Sequence, residues 1–118
     1  MKLRVVLVVA VAALALASGA SAGVWAHISA DWNTLGTVKV SVLSDHHFNG
    51  TVENACAVGG TTVTDETQPL ANWLYDQVAH EYVDQTSFDI TATGSGAECT
   101  ITVMSGSKLL AQQTYVSV

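Results

Sequence analysis

The sequence predicts an all-β protein in which two antiparallel sheets pack together as a sandwich. Several short segments rich in valine, isoleucine and threonine alternate apolar and polar residues with a period of two, which is the pattern of half-buried strands. Glycine-containing turns separate these segments at intervals of roughly 8–12 residues, a spacing typical of a β-sandwich. The chain has 118 residues, a length that favours one domain.

Residues 1–22 are predicted to be a secretory signal peptide cleaved before Gly23, so that residues 23–118 form the domain. Two basic residues precede an apolar run from Val5 to Ala17, and Ala20-Ser21-Ala22 has the small-residue pattern of a cleavage site. The alternative is a retained membrane anchor through residues 5–22, although the apolar run is shorter than the roughly 20 residues of a spanning helix. We therefore expect the domain to be secreted or held in the cell envelope.

The charge of the domain excludes several kinds of partner. After cleavage, Lys39 and Lys108 are the only basic residues against ten acidic ones, which gives a net charge of −8. Such a domain repels nucleic acid and anionic lipid. The acidic residues are dispersed along the chain, as on a solvated surface. We expect a domain that is monomeric or only weakly associating.

Four strands are predicted in the first half of the domain. The clearest lies before the polar turn at Asn49-Gly50, because Val38, Val40 and Val42 point to one face. A weaker strand precedes it and is ended by the segment Asp31–Gly36. The predicted strands are Val24–Ala30, Thr37–Leu43, Thr51–Val58 and a short piece at Thr61–Thr64, followed by a polar loop over Asp65–Pro69.

The segment Leu70–Tyr82 fits two interpretations. Its apolar residues would lie on one face of a helix that Pro69 could start. A strand over Trp73–Ala79, with a turn at Glu81–Gln85 after it, matches the spacing of the flanking segments better. We favour the strand and keep the helix as the alternative.

The segment Ser87–Ser107 is predicted to be a central β-hairpin. Phe88 and Ile90 alternate with polar residues in its first arm, as Cys99, Ile101 and Val103 do in its second. The tripeptide Gly94-Ser95-Gly96 between the arms provides residues that tolerate positive φ, as tight turns require. A last strand is expected over Leu109–Val118.

The two cysteines, Cys56 and Cys99, are predicted to form one disulfide, because exported domains fold in an oxidising compartment. The disulfide closes a loop of 43 residues, which stabilises the domain by about 4 kcal/mol in the chain-entropy model. Cysteines on two distant strands commonly tie the sheets of an immunoglobulin-like core together. The sequence therefore predicts an immunoglobulin-like antiparallel sandwich of seven or eight strands with one inter-sheet disulfide, against which Trp73 packs.

The histidines are the candidate metal ligands. His46 and His47 lie in a turn beside Asp45, and His80 lies beside Glu81 in another. If both turns met at one end of the sandwich, these side chains could bind Zn²⁺ or Cu²⁺, although adjacent histidines on an exposed turn are more often simply solvated. Cleavage after Ala26 would alternatively make His27 an amino-terminal copper ligand.

No catalytic or cofactor-binding pattern is present in the sequence. It contains no nucleophile elbow, and cysteines held in a disulfide cannot act as nucleophiles. We therefore predict a protein that is not an enzyme and needs no cofactor. Asn49-Gly50-Thr51 is a glycosylation sequon as well as a turn signal. Five aromatic residues could contribute to an exposed binding patch, namely Trp25, Trp32, Tyr75, Tyr82 and Tyr115.

The segment from Trp73 to Gln112 resembles the carboxy-terminal domain of the MmpS family. The similar stretches are WLYDQV, SFDITATGSG, AECTITV and LLAQQ, and the earlier GTVKVSVL is similar to the first core strand of that family. Members are small actinobacterial membrane-associated proteins that assist MmpL transporters in exporting lipids and siderophores. The resemblance implies an immunoglobulin-like fold and a non-enzymatic accessory role in cell-envelope transport. The family offers no catalytic residues to map onto this chain.

Overall fold

The fold was analysed in a computed structural model, which describes residues 25–118. The predicted signal peptide, its alternative as an anchor and its cleavage site lie outside the described residues. The described part forms eight strands: β1 (Ala26–Thr34), β2 (Thr37–Ser44), β3 (Thr51–Val58), β4 (Thr61–Pro69), β5 (Leu74–Asp76), β6 (Glu81–Asp89), β7 (Glu98–Ser105) and β8 (Lys108–Val116). Residues 25–118 contain no helix with the length and apolarity needed to cross a membrane.

The strands form two antiparallel sheets of four strands each. The first sheet has the order β1-β2-β6-β5 and the second the order β4-β3-β7-β8. In an immunoglobulin domain strands A, B, E and D form one sheet and C, F and G the other. The present order matches that arrangement. β3 occupies position C, and β4 is added beside it at the edge of the second sheet. The predicted immunoglobulin-like β-sandwich is confirmed.

Alternating valines place the core between the sheets. Val38, Val40 and Val42 of β2 are fully buried, as are Ile101 and Val103 of β7 in the facing sheet. Their polar neighbours point outward, as the period of two requires. Phe88 of β6 is the largest fully buried side chain of this core.

The predicted disulfide between Cys56 and Cys99 is present, and it lies in the layer between the sheets because both side chains are buried. It does not cross from one sheet to the other, however. The two cysteines are directly opposite in the register of β3 and β7, which are neighbours in the second sheet, and their Cα atoms are 4.0 Å apart. The immunoglobulin analogy predicted a bridge between sheets, and that detail is wrong. A buried disulfide is consistent with an oxidising, extracytoplasmic environment.

The predicted central hairpin is also wrong. Its first arm belongs to β6 in the first sheet and its second arm to β7 in the second sheet, so the two arms do not pair. A single turn of 3-10 helix (Thr91–Thr93) and Gly94 to Gly96 carry the chain across the edge of the sandwich. Buried alternation does not reveal which strand a segment pairs with. The turn at Asn49-Gly50 likewise joins strands of different sheets.

Several predicted element boundaries change. The polar residues Asp65–Pro69 continue β4, and residues 81–85 belong to β6. The polar residues of β4 lie on an edge strand and are mostly exposed, whereas the buried Asp84 of β6 accepts a hydrogen bond from the Asn72 N–H. The segment Leu70–Tyr82 forms a strand as favoured, but β5 has three residues and a turn follows it.

A buried polar chain of contacts lies beside the disulfide. The Tyr115 hydroxyl donates to Asn54 Oδ1 at 2.8 Å, and Asn54 Nδ2 lies 3.6 Å from Cys56 Sγ. Trp32 stacks on the Tyr115 ring with 5.3 Å between ring centroids. These contacts connect β8 to β3 through the core and bring β1 beside β8.

We expect Tyr115→Phe to lower the free energy of unfolding by about 1–3 kcal/mol at neutral pH, because Asn54 Oδ1 then stays buried without its donor. Urea denaturation measures this loss. The matched control is Tyr75→Phe, since Tyr75 is half-exposed at 49%, and it should change stability little. Equal stability of the Tyr115 variant and the native protein would contradict the assigned role of this hydrogen bond.

Alkaline titration provides a second measurement on the same residue. Burial raises the pKa of Tyr115 to about 12. Because the folded pKa lies above the ordinary value of 10.0, the stability from the neutral phenol is complete below that value and is lost as the pH rises through about 12. Tyrosinate absorbance should therefore show one late-ionising tyrosine, and the Tyr115→Phe variant should lack it.

Candidate binding surface

All four histidines of the chain lie at one end of the sandwich, which we call the histidine end. It comprises the start of β1, the loop at residues 45–50 and the turn after β5. The strand register places Ala26 opposite Ser44, and Ser44 opposite Tyr82. The two histidine-containing turns thus lie at one end, which is the condition that the predicted metal site required.

The predicted metal ligands do not converge at this end. His46 Nδ1 lies 3.1 Å from Asp45 Oδ2, whereas His47 packs edge-on against Tyr82 with 5.2 Å between ring centroids. His80 lies in the turn after β5 with a φ of 56°. Within residues 25–118 no three His, Cys, Asp or Glu side chains are arranged to hold a metal ion. Each imidazole thus sits in a separate local environment, and the arrangement required for the predicted site is not formed in this part of the chain.

Asp45 and Ser44 anchor the start of β1. The Ser44 hydroxyl donates to the Trp25 carbonyl at 2.6 Å, and the Trp25 N–H donates to Asp45 Oδ1 at 3.4 Å. The His46 N–H in turn donates to Ser44 Oγ at 3.2 Å. Asp45, a predicted accessory ligand, therefore has a structural role in this arrangement.

Aromatic side chains close the same end of the core. Trp73 Nε1–H donates to the Phe48 carbonyl at 3.0 Å, and the two rings lie 5.0 Å apart. Trp73 thus packs against Phe48, whereas the sequence predicted packing against the disulfide. Gly50 is needed at this point because a Cβ atom there would lie 2.4 Å from the Met104 carbonyl oxygen and 2.6 Å from the Phe48 ring. The glycine of the predicted Asn49-Gly50 turn is therefore required because the backbone at Gly50 lies close to Met104 and Phe48.

We give the name docking patch to the short exposed segment that contains Leu74, Tyr75 and Val78. The exposed fractions of these three residues are 74%, 49% and 92%, respectively. Leu74 and Tyr75 are successive strand residues, so their side chains point to opposite faces of the sheet. Leu74 and Tyr75 belong to the edge strand β5, and the Tyr75 ring contacts the Tyr82 ring at 5.0 Å between centroids. Burying large apolar side chains is favourable, so this segment is a candidate contact surface.

The turn that carries Val78 is held by hydrogen bonds. Asp76 Oδ1 accepts from the N–H groups of Val78 and Ala79 at 3.0 and 3.1 Å. A side-chain acceptor of this kind fixes a turn in place of a backbone carbonyl. Val78 is therefore presented to solvent by a defined turn that needs little ordering when it binds.

The sequence analysis identified only part of this surface. Tyr75 was among the predicted exposed aromatics, whereas Leu74 and Val78 were assigned to a possible buried helical face. Trp32 and Tyr115, also predicted for the patch, stack on each other at the side of the core. A recognisable signal for Val78 was its position in a polar turn after Asp76, where no partner strand can cover it.

Acidic groups also interact on the outer face of the second sheet. A hydrogen bond with Asp65, partial burial and the repulsion of that carboxylate all raise the pKa of Glu53 above its ordinary value of 4.5. The two residues lie on the paired strands β3 and β4. Because the folded pKa of Glu53 is raised, the stabilisation that comes from its protonated carboxyl group is complete below the ordinary pKa. It is lost as the pH rises through the folded pKa.

Removing this repulsion should stabilise the domain. Glu53→Gln is expected to raise the free energy of unfolding at neutral pH by roughly 0.2–1 kcal/mol, the range for cross-strand charge pairs. The gain should shrink when the pH falls below 4.5, where native Glu53 is protonated. Glu66→Gln, an equal change of charge on β4, is the control for net charge. A gain for Glu53→Gln that persisted unchanged in acid would contradict this assignment.

Comparisons of the chain with models of known families, with curated proteins and with solved structures find no match. Membership of the MmpS family thus stays a prediction from the sequence. The functional interpretation must rest on the geometry of the described residues.

Proposed function

We propose that this protein is an exported accessory domain of the cell envelope that works by binding another protein, most plainly a membrane transporter, and not by catalysis. The docking patch is the observation that carries the proposal. It combines an edge strand, a hydrogen-bonded turn and a nearly fully exposed valine. The buried disulfide supports an extracytoplasmic location, and the sequence resemblance supports a transport context.

The chemistry of the patch suggests the kind of surface it contacts. Leu74 and Val78 would each contribute about 1.5–3 kcal/mol if a partner buried them completely. Asp76 and Glu81 flank the patch, and the domain is strongly acidic. A partner with an apolar depression and a basic rim would complement these features.

The docking patch lies at the end of the sandwich where the chain enters the domain from residues 5–22. Trp25, the first described residue, lies at the histidine end, as does the turn that carries Val78. If residues 5–22 are retained as an anchor, the patch faces the membrane in which a transporter lies. If the segment is cleaved, the same surface can bind an envelope protein from solution.

Photo-crosslinking in the native host tests this proposal. A photoreactive side chain at Val78 should capture an integral membrane protein, identified by mass spectrometry, whereas the same group at Leu35 should not. Leu35 is a suitable control because it is 83% exposed and lies in the turn between β1 and β2, at the opposite end of the sandwich. Equal capture from both positions, or no membrane protein from Val78, would refute the proposal.

A pair of substitutions tests the energetics of the patch. We expect Leu74→Ser combined with Val78→Asp to weaken binding to the crosslinked partner by more than about tenfold, because two apolar anchors are lost. Leu35→Ser should leave the affinity unchanged. All three positions are exposed, so the melting temperatures should stay close to that of the native protein. If the double variant bound the partner with unchanged affinity, the docking patch would not be the surface that binds it.

A further inference from the structure

We propose that the free edge of β6, from Gln85 to Asp89, is a second binding site, which takes up an extended peptide as an additional strand in line with β5. This site does not depend on the transport role proposed above. It follows from the short length of β5, from a side-chain amide that already binds the edge, and from the charge of the adjacent groove.

The edge of β6 is only partly covered. β5 pairs with Glu81 to Val83 and ends there, whereas β2 pairs with β6 as far as Asp89. Residues 84–89 of β6 therefore have a strand neighbour on one side only. A sheet edge of this kind is a template for a further strand.

The direction of the backbone groups defines which ones are available. The Ile90 N–H donates to the Gly36 carbonyl at 2.8 Å, on the side of β2. Backbone groups of successive residues alternate between the two sides of a strand. The N–H and C=O groups of Gln85 and Ser87 consequently point away from β2, toward the uncovered edge.

Gln68 already occupies part of this edge. Its Nε2 donates to the Ser87 carbonyl at 3.0 Å, and its Oε1 accepts from the Thr86 hydroxyl. Gln68 belongs to β4 in the other sheet, so its side chain spans the open side of the sandwich. A primary amide thus makes the contact that the peptide N–H of an added strand would make. This contact indicates that the chemistry of the ligand is that of a peptide backbone.

A groove of about 590 Å³ lies across β2 and β6 and reaches Gln68 of β4, lined among others by Lys39, Ser41, Gln68, Gln85 and Ser87. Lys39 is exposed and forms no ion pair within residues 25–118, although Asp31 of β1 lies opposite it in the strand register. It is one of two basic residues in the described part of an acidic chain. An acidic side chain on the outward face of the added strand would pair with it, so the geometry selects an extended peptide that carries a carboxylate.

The other strand edges suit this ligand less well. β1 and β8 lie beside each other, where Trp32 stacks on Tyr115. The free edge of β4 carries Asp65 and Glu66, which would repel an acidic peptide. β6 also carries two acidic residues, but Asp84 is buried and accepts from the Asn72 N–H, and Asp89 accepts from Thr91. Between them Ser87 lies opposite Lys39, so this edge is the one that combines free backbone groups with a nearby basic side chain.

Hydrogen exchange of the purified, disulfide-bonded protein is the first test. The amides of Gln85 and Ser87 should exchange much faster than the amide of Thr86, which points to β2. Equal protection of all three amides would show that the edge is already paired and would overturn the proposal.

Peptide titration followed by amide NMR is the second test. The probe is a blocked hexapeptide of alternating threonine and valine with one glutamate, compared with the same peptide carrying lysine in place of glutamate. The glutamate peptide should shift the amide signals of Gln85 and Ser87, and Lys39→Gln should remove its advantage over the lysine peptide. Shifts confined to β4, or no shifts, would overturn the proposal.

Variants at Gln68 complete the test. Gln68→Ala should tighten binding of the glutamate peptide about threefold to tenfold, because one competing hydrogen bond is removed. Thr67→Ala, at the neighbouring exposed position of β4, should leave the affinity unchanged. A peptide methylated on alternate backbone nitrogens should not bind. If Gln68→Ala bound no more tightly than Thr67→Ala, Gln68 would not be the internal occupant of this site.

Discussion

The pairing of β3 with β7 is the interaction on which the rest of the sandwich depends. These strands are the inner pair of the second sheet, so β4 and β8 both build on them. Cys56 and Cys99 face each other across this pair and close a loop that contains β4, β5 and β6. The chain between the cysteines must therefore leave the second sheet, supply two strands to the first sheet and return. The buried contact between Tyr115 and Asn54 fixes β8 to the same pair.

The crossing between the sheets explains why β5 is short. After Pro69 ends β4, the Asn72 N–H donates to the buried carboxylate of Asp84 at 2.8 Å, which holds the crossing segment against β6. Three residues then pair with β6 before Asp76 begins the next turn. The short strand has two consequences on the same side of the first sheet. It leaves apolar residues exposed on β5 and in the turn after it. It also leaves residues 84–89 of β6 with a strand neighbour on one side only.

The two proposed binding surfaces differ in chemistry although both arise from this one feature. The docking patch is apolar and rigid, so it suits a preformed depression on a folded partner. The β6 edge is polar and offers backbone groups, so it suits an extended segment. A partner that combined a folded surface with an adjacent extended segment could occupy both without any rearrangement of the sandwich core.

Strand type and burial were predictable from single segments of the sequence. The alternation of Val38, Val40 and Val42 identified β2 and its buried face, and the run Thr51–Val58 identified β3, because a period of two is a local property of the chain. The pairing of Cys56 with Cys99 was predictable because the two cysteines of a chain predicted to be exported have one possible partner each. The eight-strand sandwich followed from the number and spacing of such segments.

Which strands are neighbours was decided only by the tertiary structure. Residues 88–92 and 98–103 have the pattern of a hairpin, yet they lie in different sheets, because alternation specifies a buried face and not a partner strand. For the same reason the sequence did not reveal that Cys56 and Cys99 share one sheet. The candidate sites depended on the same information: the histidines reach one end but remain apart, and Val78 is exposed because β5 ends at Asp76. The sequence alone predicts an exported, single-disulfide β-sandwich, whereas the two proposed binding surfaces depend on a strand pairing that leaves one short strand at the edge of the first sheet.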